Sequence, residues 1–345
     1  MERNFNLGII SENRKYLMGI ACILIIFAHS FFLSEKTSLI YFFRTKSQIG
    51  VDIFLFLSGI GLYYSYIKNN NIKEFYLKRF SRILPLYFII IIIWLSFFDK
   101  NINTFMDFFN RITFIDFFID DDFSHWFIIF ILLMYLIFPI LYKILFVEIE
   151  YEKTYLFIIT LILTVVIYVA LSFVINSDTK EPYWIELFLS RMSIFLWGIV
   201  AGYFVKNNFK INFVKTMIYS ILTIIVGFSL IYYKVGIFAS LTFTRCLYAP
   251  MAIALCIILS QLLTLLKDNG FIKQILAYIG KNTLEIYLLY EKVEGLILEE
   301  FRKFDNSGIL CIAISIIITF VLADFFNYLV NGNLKKIIIN LSKYK

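Results

Sequence analysis

The stretch CILIIFAHSFF, residues 22–32, sets an imidazole among hydrocarbon side chains, and His29 is one of only two histidines in the chain. Histidine exchanges a proton near neutral pH, so His29 is a candidate general base. A carboxylate on one ring nitrogen would fix its tautomer and leave the other nitrogen for a substrate. Asp52, in IGVDIFLFLSGIGLYYS, is a carboxylate expected at similar depth. A carboxylate inside an apolar run is costly and calls for a function. The plainer reading stands beside this one: His29 bonds a neighbouring backbone group, and Asp52 sits at the water line.

A second set is cationic. Arg79 and Arg82, in KRFSRILPLYF, are three residues apart and share one face of a helix. Two guanidiniums on one face can grip phosphates through paired hydrogen bonds, and a coenzyme A thioester carries such phosphates. They are equally readable as the basic flank of a membrane span. The opposite face of this stretch carries Phe75, Leu77 and Phe80, which suits a helix lying in the interface, and Pro85 suits the first turn of the next span. His125 and Trp126, in DDFSHWFIIF, and Arg191, in LSRMSIFLWGIVAGYF, are each ordinary interfacial anchors taken singly. Together they could line an outward-facing pocket. Glu285 falls in the first turn of a late apolar helix, either as a dipole-favoured acid or as a cavity residue, and Asp324 is similarly open. The loop acids Asp116, Asp120, Asp121 and Asp122 have no metal-ligand spacing, and no metal site is expected.

These groups must be positioned by membrane helices. Hydrophobic residues make up 61% of the chain and charged residues 17%, which excludes a soluble globular domain. A span needs about 20 mostly apolar residues. Ten runs qualify: 16–33, 49–67, 83–98, 126–145, 155–175, 186–205, 214–233, 246–266, 282–298 and 309–330. They are continuous rather than alternating, so they are helices and not barrel strands. The first run has no small-residue cleavage site after it and is read as a span, not a signal peptide. Gly59 and Gly61 allow close helix contact in the second. The four cysteines, Cys22, Cys246, Cys256 and Cys311, all fall in apolar runs without metal or disulfide spacing and read as packing residues. Assigned to the nearer end of each span, 20 of the Lys and Arg residues fall on the side of the termini and 12 on the other. The positive-inside rule then puts both termini in the cytoplasm. The net charge of +7 is largely this inner collar, which faces anionic lipid and not nucleic acid. No loop is long enough for a second domain, so residues 1–345 are one integral-membrane unit.

Five segments in order, LMGIACILIIFAHS, IGVDIFLFLSG, RFSRILPLY, HWFI with a following Tyr and Pro, and GKNTLEIYLLY, resemble the acyltransferase 3 family of bacterial membrane O-acyltransferases over nearly the whole chain. The resemblance implies ten core helices in the bacterial cytoplasmic membrane. It implies transfer of an acyl group, usually acetyl, with acetyl-coenzyme A as co-substrate and no bound cofactor. The implied acceptor is a hydroxyl of an exported glycan or lipid-linked glycan. It assigns catalysis to His29, as base or as acyl carrier, and donor binding to Arg79 and Arg82, with Lys15 as a further donor-binding candidate; the expected depth of Asp52 adds that this carboxylate orients His29. The family's basic residue eleven positions before the histidine is Met18 here; Arg14 and Lys15 lie one turn earlier, and Lys15 falls near the His29 face. The late motif often ends in His where this chain has Tyr290. A multi-span flippase or other transporter and a glycan polymerase are the alternatives. The first usually shows internal repeats and the second a large outer loop, and neither feature is evident.

Overall fold

The computed structural model describes residues 4–30, 39–68, 71–99, 102–119, 125–146, 153–176, 183–236, 241–268, 270–301 and 308–330. In chain order, a strand β1 (Asn4–Asn6) leads into helices α1 (Gly8–Glu12), α2 (Arg14–His29), α3 (Leu39–Lys46), α4 (Ile49–Lys68) and α5 (Ile72–Phe97). Two short helices, α6 (Phe105–Ile112) and α7 (Ile115–Ile119), precede α8 (Trp126–Phe146), α9 (Lys153–Asn176) and α10 (Tyr183–Lys206). Strand β2 (Lys210–Asn212) pairs antiparallel with β1, Asn4 opposite Asn212. Helices α11 (Phe213–Tyr232), α12 (Leu241–Leu265), α13 (Phe271–Lys281), α14 (Thr283–Phe301) and α15 (Ile309–Asn327) complete the bundle.

The chain is an all-α polytopic membrane protein. Eight stretches among the described residues are long and apolar enough to cross a bilayer, and they correspond to eight of the ten expected spans. The other two are helices of a different kind. Helix α2 has 16 residues with Arg14 first and His29 last. Helix α14 has 19 residues and carries Glu285, Glu291, Lys292 and Glu294. Helix α2 is shorter than the other spans and α14 carries more charge than they do, and both line the site described below.

Helix α5 departs from the expected boundaries. The basic stretch and the third span form one 26-residue helix with Pro85 inside it rather than in its first turn. Asn71 caps it, its side chain accepting from the backbone N–H groups of Lys73 and Glu74 at 3.0 and 3.3 Å. Phe75 does not face lipid as an interfacial helix would require. It is buried and stacks on Phe138 with centroids 5.4 Å apart. Phe75 also lies 5.9 Å from the Arg79 guanidinium, so it shares that arginine's side of α5 rather than the opposite one, while Leu77 and Phe80 are half-buried.

The core is built where glycines let backbones meet. A Cβ on Gly59 of α4 would lie 2.6 Å from the Phe195 carbonyl oxygen of α10, and one on Gly198 of α10 would strike the Phe56 carbonyl of α4. Small residues permit this approach where lipid offers no hydrophobic drive for association. All four cysteines are buried and form no disulfide, in keeping with packing residues.

Candidate functional site

Helix α2 presents Arg14, Met18, Ile25 and His29 at spacings of four, seven and four residues, so they lie along one face. At about 1.5 Å per residue, Arg14 and His29 are about 22 Å apart along the axis. A chain of cavities follows this face.

At the Arg14 end, a cavity of about 430 Å³ is lined by Glu12, Arg14, Lys15, Met18 and Arg82. It adjoins one of about 80 Å³ through Arg14, Met18 and Arg82, and there Arg79, Tyr135 and Thr283 join the wall. Three guanidiniums converge. Arg14 Nε donates to the Leu57 carbonyl at 3.2 Å, and Arg79 Nη2 donates to the Gly61 carbonyl at 3.1 Å. The Arg79 guanidinium also lies 5.7 Å from the Tyr135 ring centroid. Gly61 makes room: a Cβ there would come within 2.7 Å of Arg14 Nη2. Among the described residues no carboxylate forms a salt bridge with Arg14, Arg79 or Arg82. Glu285 is buried in the first turn of α14, and its charge reaches Arg82 and Lys281 through space without an ion pair. Three uncompensated guanidiniums on a cavity wall make an anion site with geometry suited to phosphate.

The cavity at the arginines shares Ile25, Phe54, Thr283 and Tyr287 with a small one of about 20 Å³ at His29. Here the imidazole is 36% exposed, and its Nδ1 lies 4.0 Å from Glu291 Oε2. Tyr290 lines the same cavity, and its hydroxyl lies 3.1 Å from Ser30 Oγ. Ser30 Oγ in turn donates to the Ile26 carbonyl at 2.9 Å and closes α2 just past His29. Beyond Glu291 the path widens into a basin of two adjoining cavities, about 220 and 320 Å³, which share Trp94, His125 and Lys292.

Several expected site residues are placed elsewhere. Asp52 is not the carboxylate beside His29. It is fully buried in α4 and bound to Arg191 of α10, and the carboxylate the structure brings to the imidazole is Glu291. Arg191 correspondingly does not line an outward pocket: it is 2% exposed and lies 6.0 Å over the Tyr248 ring. A buried guanidinium needs a counter-charge, and Asp52 supplies it. Trp126 packs against Phe127, and it is Phe127 that faces the arginine cavity. His125 does line the outer basin, edge-on to Tyr87 with centroids 5.5 Å apart. Lys15 is exposed on the larger cavity with its ammonium 4.8 Å from the Tyr16 ring, while Arg14 reaches both cavities. Asp324 accepts from Tyr278 Oη at 2.7 Å and Asn282 Nδ2 at 3.1 Å, holding the α13–α14 junction to α15. Asp116 meets Arg111 at 3.5 Å, whereas Asp120, Asp121 and Asp122 lie outside the described residues. No group of three metal-ligating side chains is present among the described residues.

Sequence reasoning missed Arg14 as a cavity residue, and it missed Trp94, Glu291 and Lys292. One signal was available. Thr283, Tyr287 and Glu291 are spaced by four on α14, and a carboxylate continuing a polar stripe through an apolar helix marks a lined path.

The family model described as an acyltransferase domain, acyltransferase 3, matches residues 15–328. No curated protein and no solved structure matches the chain.

Proposed function

Because the chain belongs to the acyltransferase 3 family, and so is a membrane acyltransferase, we propose that it moves a short acyl group, acetyl in the first instance, from acyl-coenzyme A to a hydroxyl of an exported cell-surface glycan. The observation that carries this is the arrangement itself: three guanidiniums without a carboxylate ion pair among the described residues at one end of the α2 face, His29 at the other, and adjoining cavities between them.

Arg14, Arg79 and Arg82 hold the phosphates of the donor at the cytoplasmic face of a bacterial inner membrane, as the excess of basic residues on the terminal side orients it. Coenzyme A separates its phosphates from its sulfur by a long thin arm, and the cavity past Ile25 and Phe54 leads that arm toward His29. Glu291 lies 4.0 Å from Nδ1 of the imidazole. The imidazole takes the proton of the acceptor hydroxyl as the oxygen attacks the thioester carbonyl. The carbon–sulfur bond breaks, and the coenzyme A thiolate leaves with the proton returned from the imidazolium. Donor and acceptor approach from opposite sides and meet at one residue.

The test compares wild type with His29→Ala at matched membrane levels, reading acetyl-coenzyme A binding by purified protein and O-acetyl groups on the surface glycan of the native host. The expected result is retained donor binding with acetyl lost from a glycan that is still displayed. Appreciable acetylation by the variant would overturn the role of His29. Loss of the glycan itself would point to transport or polymerisation.

A further inference from the structure

The basin beyond His29 has a composition unlike that of the arginine end, and the difference names its ligand. Trp94 forms a flat apolar wall. The indole is half-buried and stacks on Phe98, with centroids 5.3 Å apart and planes 25° apart, so its orientation is held. Around it the rim is polar and of mixed sign: Asp99, Arg111, His125, Glu291 and Lys292. Arg111 is ion-paired with Asp99 and lies 3.5 Å from Asp116, so its charge is offset twice. Glu291 and Lys292 contribute one charge of each sign. Among the described residues the lining therefore offers hydrogen-bond donors and acceptors, with two carboxylates, Asp99 and Glu291, and two cations, Arg111 and Lys292.

An anion would be served better by the uncompensated guanidiniums at the other end. A hydrocarbon ligand would bury the polar rim unsatisfied. A neutral polyol with one apolar face fits both features, because the C–H face of a sugar ring lies on an aromatic wall while its hydroxyls bond the rim. Ligand sites combine an apolar lining with a few placed polar groups, and they commonly reach a few hundred Å³.

We propose that this basin is the acceptor subsite and that it takes a carbohydrate, with Trp94 as the platform under a sugar ring. Lys292 Nζ now lies 5.0 Å from the indole centroid. A ring seated on Trp94 displaces the flexible lysine, whose ammonium turns to the sugar hydroxyls. The basin meets the His29 cavity through Tyr287 and Glu291, so a hydroxyl at the inner edge of the bound sugar points toward the imidazole. The inference rests on the donor and acceptor reading above and adds the place of the acceptor and the residues that hold it.

The test uses the full chain in lipid nanodiscs, labelled acetyl-coenzyme A, and the surface polysaccharide of the native host after its O-acyl groups are removed with mild alkali. Trp94→Ala should raise the acceptor KM tenfold or more, leaving acetyl-coenzyme A binding unchanged. Trp94→Phe should keep most of the wild-type acceptor affinity, and Lys292→Ala should weaken it several-fold. Unchanged acceptor kinetics in both Trp94→Ala and Lys292→Ala would overturn the subsite, and Lys292→Ala alone decides if Trp94→Ala does not fold. A wild-type protein that binds acetyl-coenzyme A but transfers nothing to the polysaccharide overturns the carbohydrate assignment. A wild-type protein that does not bind acetyl-coenzyme A overturns the donor reading instead.

Discussion

Asp52 and Arg191 form an ion pair across the α4–α10 contact, with side chains 1% and 2% exposed. The pair joins the same two helices as the reciprocal glycine contacts of Gly59 and Gly198, about two turns away along each. Removing one partner leaves a buried charge uncompensated, at a cost of about 3–5 kcal/mol. Asp52→Ala and Arg191→Ala should therefore each lower the thermal midpoint and the yield of folded protein. The combined apolar replacement Asp52→Leu with Arg191→Met should recover much of the loss. Transfer activity per folded molecule should stay near wild type, and a large fall in kcat at full stability would return Asp52 to catalysis.

Glu291 is the carboxylate at 4.0 Å from His29 Nδ1, and the proposed reaction gives it the role of orienting the imidazole. Glu291→Ala should lower kcat by about tenfold, within the range for a group that supports a general base. The KM for acyl-coenzyme A should be unchanged. Adding Glu291→Ala to His29→Ala should cost nothing further, because a positioning residue has no effect once its target is gone. Additive losses in that double variant would contradict the role.

The three guanidiniums predict a graded loss of donor affinity. A hydrogen bond to a charged group is worth about 1.5–3 kcal/mol, so Arg14→Ala, Arg79→Ala and Arg82→Ala should each raise the Kd for coenzyme A by about tenfold or more. Lys15→Ala should change it little, since Lys15 sits exposed on the larger cavity alone. Arg79→Lys should recover little, because an ammonium cannot reproduce the guanidinium fork. Calorimetry in detergent at two salt concentrations measures all five.

Two glycines two residues apart on α4 should respond differently. A Cβ at Gly59 meets the Phe195 carbonyl oxygen at 2.6 Å and Gly198 backbone at 2.8 Å, and backbone cannot step aside. Gly59→Ala should destabilise the bundle by about 1–3 kcal/mol. A Cβ at Gly61 meets the end of the Arg14 side chain at 2.7 Å, which can move. Gly61→Ala should fold normally and weaken coenzyme A binding, as loss of Arg14 does. Melting curves and binding isotherms on the same two variants separate the effects.

Helix α6, which carries Arg111 to the outer basin, is held at its start by a pH-sensitive cap. The backbone N–H groups of Thr104 and Asn103 donate to the Asp107 carboxylate at 2.8 and 3.1 Å and hold its pKa below the usual carboxylate range. The folded value lies below the unfolded one, so this stabilisation is present above about pH 4 and is lost as pH falls through the folded value. Hydrogen exchange at the α6 amides should quicken in acid. Asp107→Asn should quicken it at neutral pH and flatten its acid dependence.

Hydropathy along the chain was enough to determine a helical membrane protein and the positions of eight spans, because insertion of a backbone into lipid depends on local apolar content. Helical spacing likewise placed Arg79 and Arg82 on one face, and the order of motifs named the acyltransferase 3 family. Which polar groups meet was decided only by the tertiary structure. The sequence places Asp52 and His29 at a similar expected depth, yet depth says nothing of direction around a helix axis, and α4 turns Asp52 toward Arg191, 139 residues away. Arg14 and Lys15 are adjacent in sequence and about 100° apart on α2. The packing of α4 and α5 sends Arg14 to Arg79 and Arg82 and leaves Lys15 at the rim. Trp94, Glu291 and Lys292 looked like ordinary members of their spans until the bundle brought α5 and α14 together around one basin. Membrane partition is a property of each segment taken alone, whereas a site is made by contacts between segments far apart in the chain.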